Sequence, residues 1–537
     1  MAFVKQRLPS LGGTMVSAFN VRALDAYAPV SATCPSGSLV RPATGLSSSE
    51  TSYIASRKPK ASSSLSSWLK KTNSGFSTTN LPTLVLTTSG GGYRSLLSSA
   101  GVVQGLDARD SNVGTSGVYQ GLTYHAGLSG GGWLLSSIAG NNYPTVTNLK
   151  TTLWETAFQD SLLLPDNILA AAALTQITLD ITAKEAAGFN ISLTDPYGRL
   201  LSYQLLKGTD GGVATRMSSI TGFSNFTSFN APYPIISSLG VKTWEGECQP
   251  GPNATQYEFH PYEFGSWDSG VSAFIKTPYL GTSLNNGAPT GSSCTMNFDN
   301  LGFILGTSSN LFNTICKAPP SGTSNYTEVL TEILDKLEEV TTEDLYALYR
   351  NPFRGYSRSS LVSAQSELHL VDGGEALQNN PIWPFIQSTK RADVLIVNDN
   401  SADTSNNFPN GSEILTTYVQ AQATGLSRMP FIPSVDTFIS QGLNKRATFF
   451  GCDDNSQLTI IYLPNTAYTY NSGQSTAKLE YTVAETDAMI ANGVQIATQN
   501  GTSGWPTCLG CAIVKKTGGT LPSACTACFN KYCYRQS

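Results

Sequence analysis

The sequence of 537 residues is poor in charge, in histidine and in long apolar runs. Charged residues make up 13% of the chain, against about 25% in an average soluble protein, and the formal net charge is −4. Nucleic-acid binding rests on clustered Lys and Arg that neutralise phosphates. Because no such cluster is present, the composition disfavours a nucleic-acid partner. No apolar run reaches the roughly 20 residues that a membrane-spanning helix needs, so we expect no transmembrane segment.

Two targeting signals are also missing. A signal peptide needs an apolar stretch of about 7–15 residues, and residues 1–20 contain none. Residues 531–535 do not resemble the hydrophobic tail of a GPI anchor signal. Ten cysteines, an even number that fits a disulfide framework, and six N-x-S/T sequons nevertheless favour secretion. We therefore expect a secreted, extracellular protein, N-glycosylated at Asn190, Asn225, Asn253, Asn325, Asn410 and Asn500.

The last cysteines allow a second interpretation. Cys508-x-x-Cys511 and Cys525-x-x-Cys528 imitate a zinc site with four thiolates. The sequons and the six other cysteines favour disulfide bonds instead, although the pairing cannot be read from the sequence. We expect neither a metal site nor a cofactor.

The order of apolar segments and glycine turns predicts an α/β fold with a mostly parallel central sheet flanked by helices. Residues 1–80 are rich in Ser, Thr and Pro, and we interpret them as an arm with one short helix near 62–71. Beyond residue 81, strands are predicted at 84–86, 121–126, 368–371 and 394–398, and helices at 93–106 and 130–139.

A large insertion at about 140–360 separates the early strands from the late ones, and we expect it to consist of helices and loops. It contains predicted helices at 167–182 and 327–340, the second with one apolar stripe. Its aromatic segment 223–236 either borders a substrate entrance or is buried core. We divide the chain into a leader or disordered arm, 1–26, and one catalytic domain, 27–537, that ends in a Cys-rich segment, 508–533.

Residues 127–131 read Gly-Leu-Ser-Gly-Gly, a G-x-S-x-G motif between a predicted strand and a predicted helix. A nucleophilic serine requires such a sharp, strained turn, and glycine neighbours allow an ester to approach Ser129. The amides at the start of the following helix then face the developing oxyanion. Gly and Ser are abundant in this chain, so a structural glycine turn is the alternative.

Only three histidines are available to activate Ser129: His125, His260 and His369. In α/β-hydrolases the acid follows the serine and the histidine comes last, yet no histidine follows Asp372, the strongest acidic candidate. His125 lies in the predicted strand before Ser129, and we interpret it as a packing residue. A Ser–His–Asp triad therefore needs His260 or His369 with another acid. It competes with a Ser129–Asp372 dyad in which the carboxylate is the base.

Asp372 ends an apolar strand and precedes two glycines. A plain turn is the alternative to a functional carboxylate at the carboxyl edge of the sheet, where open α/β folds place their sites. Partial burial there would raise the pKa of Asp372 and strengthen it as a base. A third element, Ser-Gly-Gly-Gly-Tyr-Arg at 89–94, can form a nest of backbone N–H groups for an oxyanion or a phosphate. Arg94 can hold a phosphate through two N–H groups.

With these three elements the sequence resembles the fungal phospholipase B/lysophospholipase family, whose catalytic core is similar to that of cytosolic phospholipase A and patatin. The resemblance covers roughly residue 26 to the C-terminus and is carried by four blocks, at 89–94, 126–133, 371–384 and 398–412. One position departs from the family. It usually reads Gly-Leu-Ser-Gly-Gly-Ser-Trp, and Gly132 stands where the family has its second serine.

The resemblance implies a reaction and a set of roles. The family hydrolyses the fatty acyl ester of lysophospholipids through an acyl-serine that water cleaves, and its members often remove both acyl chains of a diacyl lipid. Its substrates are lysophospholipids and phospholipids in micelles or membrane surfaces. Calcium is not expected to be required, because no calcium-binding lipid domain is visible. The implied residues are the nucleophile Ser129, its base Asp372, the oxyanion amides of Gly90, Gly91 and Gly130, and Arg94 for the lipid phosphate. A triad esterase and a non-catalytic lipid-binding glycoprotein are the alternatives.

Overall fold

The computed structural model describes residues 26–163, 168–316 and 343–536. Asn325, the predicted helix at 327–340 and all but the last residue of the predicted arm at 1–26 lie outside the described residues. None of the described helices is long and apolar enough to cross a membrane.

The described helices of eight or more residues are α1 (Ser48–Thr72), α2 (Gly92–Leu106), α3 (Ser129–Gly140), α4 (Ile168–Ala186), α5 (Thr194–Leu205), α6 (Leu301–Ser308), α7 (Ser412–Ala423), α8 (Val483–Thr498), α9 (Trp505–Val514) and α10 (Ala524–Tyr532). Shorter helical segments span Val146–Leu149, Glu155–Ala157, Ser224–Thr227, Trp383–Ile386 and Val435–Ser440. The strands are β1 (Val30–Ala32), β2 (Val40–Pro42), β3 (Leu84–Thr88), β4 (Leu122–Gly127), β5 (Tyr233–Val241), β6 (Gln256–Phe259), β7 (Glu263–Ser266), β8 (Ala273–Lys276), β9 (Leu284–Asn285), β10 (Ala288–Pro289), β11 (Cys294–Met296), β12 (Ala347–Arg350), β13 (Glu367–Asp372), β14 (Val394–Asp399), β15 (Thr448–Phe450) and β16 (Thr459–Pro464).

Twelve of the described strands form one mixed sheet in the order β15-β16-β14-β3-β4-β5-β6-β7-β8-β2, in which β13 also pairs with β5 and β12 pairs with β13. Its centre, from β16 to β5, is parallel, and the outer pairs are antiparallel. The helix α2 packs against α3 and α8, and α3 packs against β4. The predicted helix-flanked α/β core is therefore confirmed, and the predicted strands and helices between 84 and 139 and at 368–371 and 394–398 are found within two residues at each end.

The segment 140–360 differs from the expectation of helices and loops, because it also contributes β5 to β12. The longest of these strands, β5, is buried along almost its whole length, so its sequence lacks the apolar–polar alternation that marks a half-exposed strand. The predicted helix at 167–182 is present as α4 and continues to Ala186.

The strand β5 brings together the ends of two strands that are distant in the sequence, β4 and β13. On one edge of β5, β4 ends with Gly127 opposite Ile236. On the same edge β13 approaches from the other direction and ends with Asp372 opposite Ser238. The two strands therefore point at each other end to end, and the turn that follows Gly127 lies beside Asp372.

Helix α1 lies within the segment 1–80 that was predicted as an arm. It is 25 residues long, where a short helix near 62–71 was expected. Its buried side includes Tyr53, Leu65 and Trp68, which are separated by serines and lysines that dilute the apolar signal. Arg57 on this side donates to the carbonyl of Leu122, at 3.1 and 2.9 Å, and so fixes α1 to the start of β4.

Two aromatic residues of the segment 223–236 are buried core. Phe226 is 1% exposed, and its ring stacks on Tyr53 with centroids 4.1 Å apart. Tyr233 begins β5 and is fully buried. Because Phe223 and Phe229 are half-buried, the burial of these two residues favours the core interpretation for part of the segment.

All ten cysteines form disulfide bonds, as the composition predicted. The pairs are Cys34–Cys294, Cys248–Cys316, Cys452–Cys533, Cys508–Cys528 and Cys511–Cys525. The last two bonds join α9 to α10. They use the four thiols of the alternative zinc site, so that alternative is not supported.

A buried ion cluster lies in the core. Lys390 contacts Glu50 at 3.0 Å and Glu258 at 3.1 Å, and all three side chains are almost completely buried. The Tyr124 hydroxyl adds a hydrogen bond of 3.0 Å to Glu50. One lysine therefore compensates two carboxylates that have little access to water.

We expect Lys390→Met to destabilise the fold by about 3–5 kcal/mol, because the substitution leaves two buried carboxylates without a counter-charge. The free energy of unfolding in urea measures this cost. Lys242→Met is the matched control. Lys242 pairs with the exposed Glu245 and the half-buried Glu247, which both keep access to water, so its substitution should cost less than about 1 kcal/mol. Equal effects of the two substitutions would contradict the prediction.

Candidate active site

Ser129 occupies a strained turn between β4 and α3. Its φ is 49°, a left-handed conformation that costs a residue with a side chain roughly 1–2 kcal/mol. The surrounding glycines permit this turn, because a Cβ at Gly127 would overlap the carbonyl of Gly131, and one at Gly130 would overlap that of Gly92. The G-x-S-x-G motif therefore packs as predicted, with Ser129 6% exposed.

The end of α6 braces this turn and the loop after β13. Ser308 accepts a hydrogen bond of 3.0 Å on Oγ from the Ser129 N–H. It accepts a second, of 3.2 Å, on its carbonyl from Gly373 N–H. The carbonyl of Asn310 accepts the Asp372 N–H at 2.9 Å. Sequence reasoning missed Ser308 and Asn310, because these contacts form between distant segments and carry no local motif.

Asp372 lies directly beside Ser129. Gly374 N–H donates to its Oδ1 at 2.7 Å. Asp372 is 3% exposed, and this burial raises its pKa to about 7, although the neighbouring Ser129 side chain and the Gly374 N–H act in the opposite direction. The structure thus brings together the two residues that the sequence singled out, 243 positions apart.

Two of the three histidines are buried away from Ser129. His125 lies inside β4, where its Nδ1 is 3.3 Å from the Tyr119 hydroxyl, and burial lowers its pKa to about 3. His260 contacts the Tyr233 hydroxyl at 2.8 Å, and burial lowers its pKa well below the usual range. Both are packing residues, as was predicted for His125.

His369 lies on the same strand as Asp372 but three residues earlier. Because side chains alternate along a strand, this odd spacing puts His369 on the opposite face, about 10 Å away along the chain. Its Nδ1 is 2.9 Å from Thr243 Oγ1. The geometry therefore provides no histidine beside Ser129.

The glycine nest at 89–92 is present, with one correction. Gly90 N–H is already bound by Asn379, through the backbone carbonyl at 3.1 Å and Oδ1 at 3.1 Å. Its predicted role as an oxyanion donor is therefore not supported. Gly92, which sequence reasoning passed over although it belongs to the same nest, lines the pocket at Ser129.

The amides that remain for an oxyanion are those of Gly91, Gly92 and Gly130. Gly91 caps α2 with φ 131°, and Gly92 begins that helix with φ 57°, conformations that suit glycine. Gly130 lies in the first turn of α3. Amides in the first turn of a helix have no partner within the helix, so they are available to a ligand.

Arg94 does not adopt the predicted position for a lipid phosphate. It is 1% exposed, and burial lowers its pKa to about 10. Nε donates to the carbonyl of Asn400 at 2.9 Å, and Nη1 donates to the carbonyl of Gln474 and to Thr476 Oγ1. Its guanidinium packs directly against Gly91, where it would overlap any Cβ, and so supports the nest.

A small pocket opens at Ser129. Its apolar side chains are Trp133, Leu163, Leu311, Phe312 and Leu479, and Gly92 forms part of its wall. Its volume of about 40 Å³ accommodates an ester group rather than a long acyl chain. The Trp133 indole N–H is held by Ser309 Oγ at 2.9 Å, which fixes one side of the pocket.

Comparison with known proteins relates this site to a family. The sequence model of the lysophospholipase catalytic domain matches residues 84–537. Lysophospholipase 2 of Aspergillus fumigatus is 37% identical over 95% of this chain and 93% of its own length. Lysophospholipase 1 of Saccharomyces cerevisiae is 36% identical over 95% of this chain and 84% of its own length.

Among solved structures, human GIVD cytosolic phospholipase A2 superposes with a TM-score of 0.68 at 16% identity, over 91% of this chain and 72% of that one. At this identity the likeness shows a shared fold. The family match spans most of the chain, and the curated relatives span nearly all of it. This chain therefore belongs to the lysophospholipase family of carboxylic-ester hydrolases.

Proposed function

We propose that the chain hydrolyses the fatty acyl ester of lysophospholipids, with Ser129 as nucleophile and Asp372 as its base. The observation that carries this proposal is the placement of the Ser129 side chain beside the buried Asp372 carboxylate, close enough to lower the pKa of that carboxyl. A nucleophilic serine needs a base within hydrogen-bond reach, and Asp372 meets this requirement without a histidine. A triad esterase is disfavoured, because His125, His260 and His369 are bound elsewhere.

The reaction then proceeds in two halves. As Ser129 Oγ attacks the ester carbonyl carbon, its proton passes to Asp372, and the carbonyl oxygen becomes an oxyanion that the nest amides stabilise. The carbon–oxygen bond to the glycerol breaks, the departing oxygen takes the proton from Asp372, and an acyl-serine remains. Water then attacks the acyl-serine while Asp372 accepts a proton from it. Asp372 returns this proton to Ser129 Oγ as the bond to the acyl group breaks, so the fatty acid is released and both residues are restored.

The lining of the pocket supports an acyl substrate. Trp133, Leu311 and Phe312 present apolar surface next to the nucleophile, as the first carbons of a fatty acyl group require. We propose that the enzyme meets its substrates in micelles or at membrane surfaces, where lysophospholipids reside. A non-catalytic lipid-binding protein is disfavoured, because such a protein has no need of a strained serine beside a buried carboxylate.

We also propose that the protein is secreted and glycosylated. Five disulfide bonds are typical of an oxidising compartment. Among the described sequons, Asn190, Asn253 and Asn500 are exposed, whereas Asn225 and Asn410 are half-buried.

We expect peptide mapping of protein secreted from a fungal host to find N-glycans at Asn190, Asn253 and Asn500, the asparagines that are accessible to the transferase. Treatment with an N-glycosidase should lower the mass of the intact protein. Unmodified asparagines at all three positions in the secreted protein would contradict the prediction.

The dyad predicts a specific pattern of mutant activities. Ser129→Ala and Asp372→Asn should each lower kcat for fatty-acid release from lysophosphatidylcholine by at least about 10⁴-fold, since each removes one half of the proton transfer. His369→Ala and His125→Ala should retain activity close to that of the unaltered enzyme. Circular dichroism checks that each variant is folded. Loss of activity in folded His369→Ala would instead favour a triad.

The raised pKa of Asp372 predicts the pH dependence of catalysis. Because only the carboxylate form accepts the Ser129 proton, kcat/KM should fall about tenfold per pH unit below about pH 7 and level off above it.

The raised pKa of Asp372 also affects the stability of the fold. The folded pKa lies above the unfolded value of about 3.9, so stability falls as pH rises from about 4 to 7.

A stability measurement separates this effect from general changes with pH. Asp372→Asn cannot ionise, so it should gain stability relative to the unaltered protein as pH rises through that window. Chemical denaturation at pH 4.5 and pH 8 measures the difference. A stability gap that does not change between these two pH values would contradict the assignment.

Gly132 can be replaced by the serine that the family usually has. A Cβ at this position would lie 3.4 Å from Ser308 Oγ and 3.6 Å from Ile236 Cγ2, which is ordinary contact. Since glycine is a poor helix former, Gly132→Ser should stabilise the fold by about 0.5 kcal/mol while activity is retained. Thermal denaturation and fatty-acid release measure the two effects. A tenfold loss of activity in Gly132→Ser would show that the site requires a residue without a side chain at position 132.

A further inference from the structure

Asn379 binds both backbone polar groups of Gly90, the first glycine of the nest. Its Oδ1 and its backbone carbonyl accept the Gly90 N–H, each at 3.1 Å. Its Nδ2 donates to the carbonyl of Gly90 at 3.3 Å. Asn379 follows Asp372 by seven residues, so the loop after β13 that carries the base also holds the nest.

The orientation of the Asn379 carboxamide is fixed by a chain of hydrogen bonds. The second N–H of Nδ2 donates to Ser401 Oγ at 3.0 Å. The Ser401 hydroxyl donates in turn to Asp399 Oδ1 at 2.6 Å, so its oxygen acts as the acceptor for Asn379. The Tyr462 hydroxyl holds the other carboxylate oxygen of Asp399 at 2.8 Å. A flipped carboxamide would put two donors against each other at Gly90, and this network prevents it.

The backbone of Asn379 is anchored as well. Its N–H donates to Glu413 Oε2 at 3.0 Å, in the first turn of α7. Its side chain fills the gap between two glycines, since a Cβ at either Gly90 or Gly374 would overlap Asn379 Oδ1. Asn379 therefore lies between the nest and the turn beside Asp372, without room for a larger side chain.

The hydrogen bond from Asn379 to the Gly90 carbonyl fixes the direction of the Gly91 N–H. In a planar trans peptide, the carbonyl of one residue and the N–H of the following residue point in opposite directions. Because Asn379 Nδ2 holds the Gly90 carbonyl, the Gly91 N–H must point away from Asn379. A glycine with φ 131° has no side chain to resist rotation of this peptide, so an external contact is needed to hold it.

We propose that Asn379 is a positioning residue that locks the Gly90–Gly91 peptide so that the Gly91 amide remains available to the oxyanion. This inference rests on the proposed function and adds to it a residue that does not touch the substrate. Its effect is on the transition state, where the oxyanion forms, and not on lipid binding.

The test substitution is Asn379→Asp, which preserves size and removes the donor to the Gly90 carbonyl. We expect kcat for lysophosphatidylcholine to fall by about 10²-fold, the usual cost of one oxyanion donor, while KM changes little. The neighbouring Asn380→Asp is the matched control. Asn380 Nδ2 donates to the carbonyl of Asn398 at 2.9 Å, so this variant makes the same chemical change away from the nest and should retain kcat.

Protonation provides a readout that a purely structural role would not change. A protonated carboxyl at position 379 regains a donor for the Gly90 carbonyl. The ratio of kcat for Asn379→Asp to kcat for the unaltered enzyme should therefore rise as pH falls from 8 to 5, and the ratio for Asn380→Asp should remain constant.

If Asn379→Asp does not fold, Ser401→Ala tests the same positioning of the Gly90–Gly91 peptide. It removes the hydroxyl that orients the carboxamide and should lower kcat by several-fold at constant KM.

The outcomes distinguish this inference from the proposed function. The inference is overturned if Asn379→Asp, folded to the same melting temperature as the control, keeps the kcat of the control, or if its ratio does not change with pH. The proposed function itself fails if the unaltered protein releases no fatty acid and a fluorophosphonate probe leaves Ser129 unlabelled.

Discussion

The approach of the Ser129 side chain to the Asp372 carboxylate is the contact around which the described core is arranged. It exists because β4 and β13 end against the same edge of β5, with Gly127 opposite Ile236 and Asp372 opposite Ser238. Neither strand alone brings the two side chains together. The registers of both strands on β5 determine this contact, so a slip of one residue in either would turn one of the two side chains away.

This contact has a cost that other parts of the fold offset. A serine with φ 49° is strained, and a carboxylate that is 3% exposed has lost most of its hydration. The end of α6 offsets part of this cost, because Ser308 and Asn310 bind the backbone of both residues. The loop with Asn379 connects the base to the nest. The site is therefore held by backbone contacts from separate segments, which suits a reaction in which donors must be in place before charge develops.

The sequence predicted the parts of the site that have local signals. The strained turn at Ser129, the strand that ends in Asp372 and the nest at 89–92 each have glycine spacing that a short window reveals. The partners of Gly90 and Arg94 could not be predicted, because they come from distant segments that no window contains. Helix α1 was predicted too short for another reason: its apolar residues are diluted by serine, and only contact with the sheet makes its buried face evident.

The central claim is that Ser129 carries the acyl group while Asp372 serves only as its base. Acid quenching of the enzyme during turnover of lysophosphatidylcholine, followed by mass spectrometry of its peptides, tests this claim most directly. The account predicts a fatty acyl mass on the peptide that contains Ser129 and an unmodified peptide that contains Asp372. An acyl group on Asp372 or on another residue, with Ser129 unmodified, would contradict it.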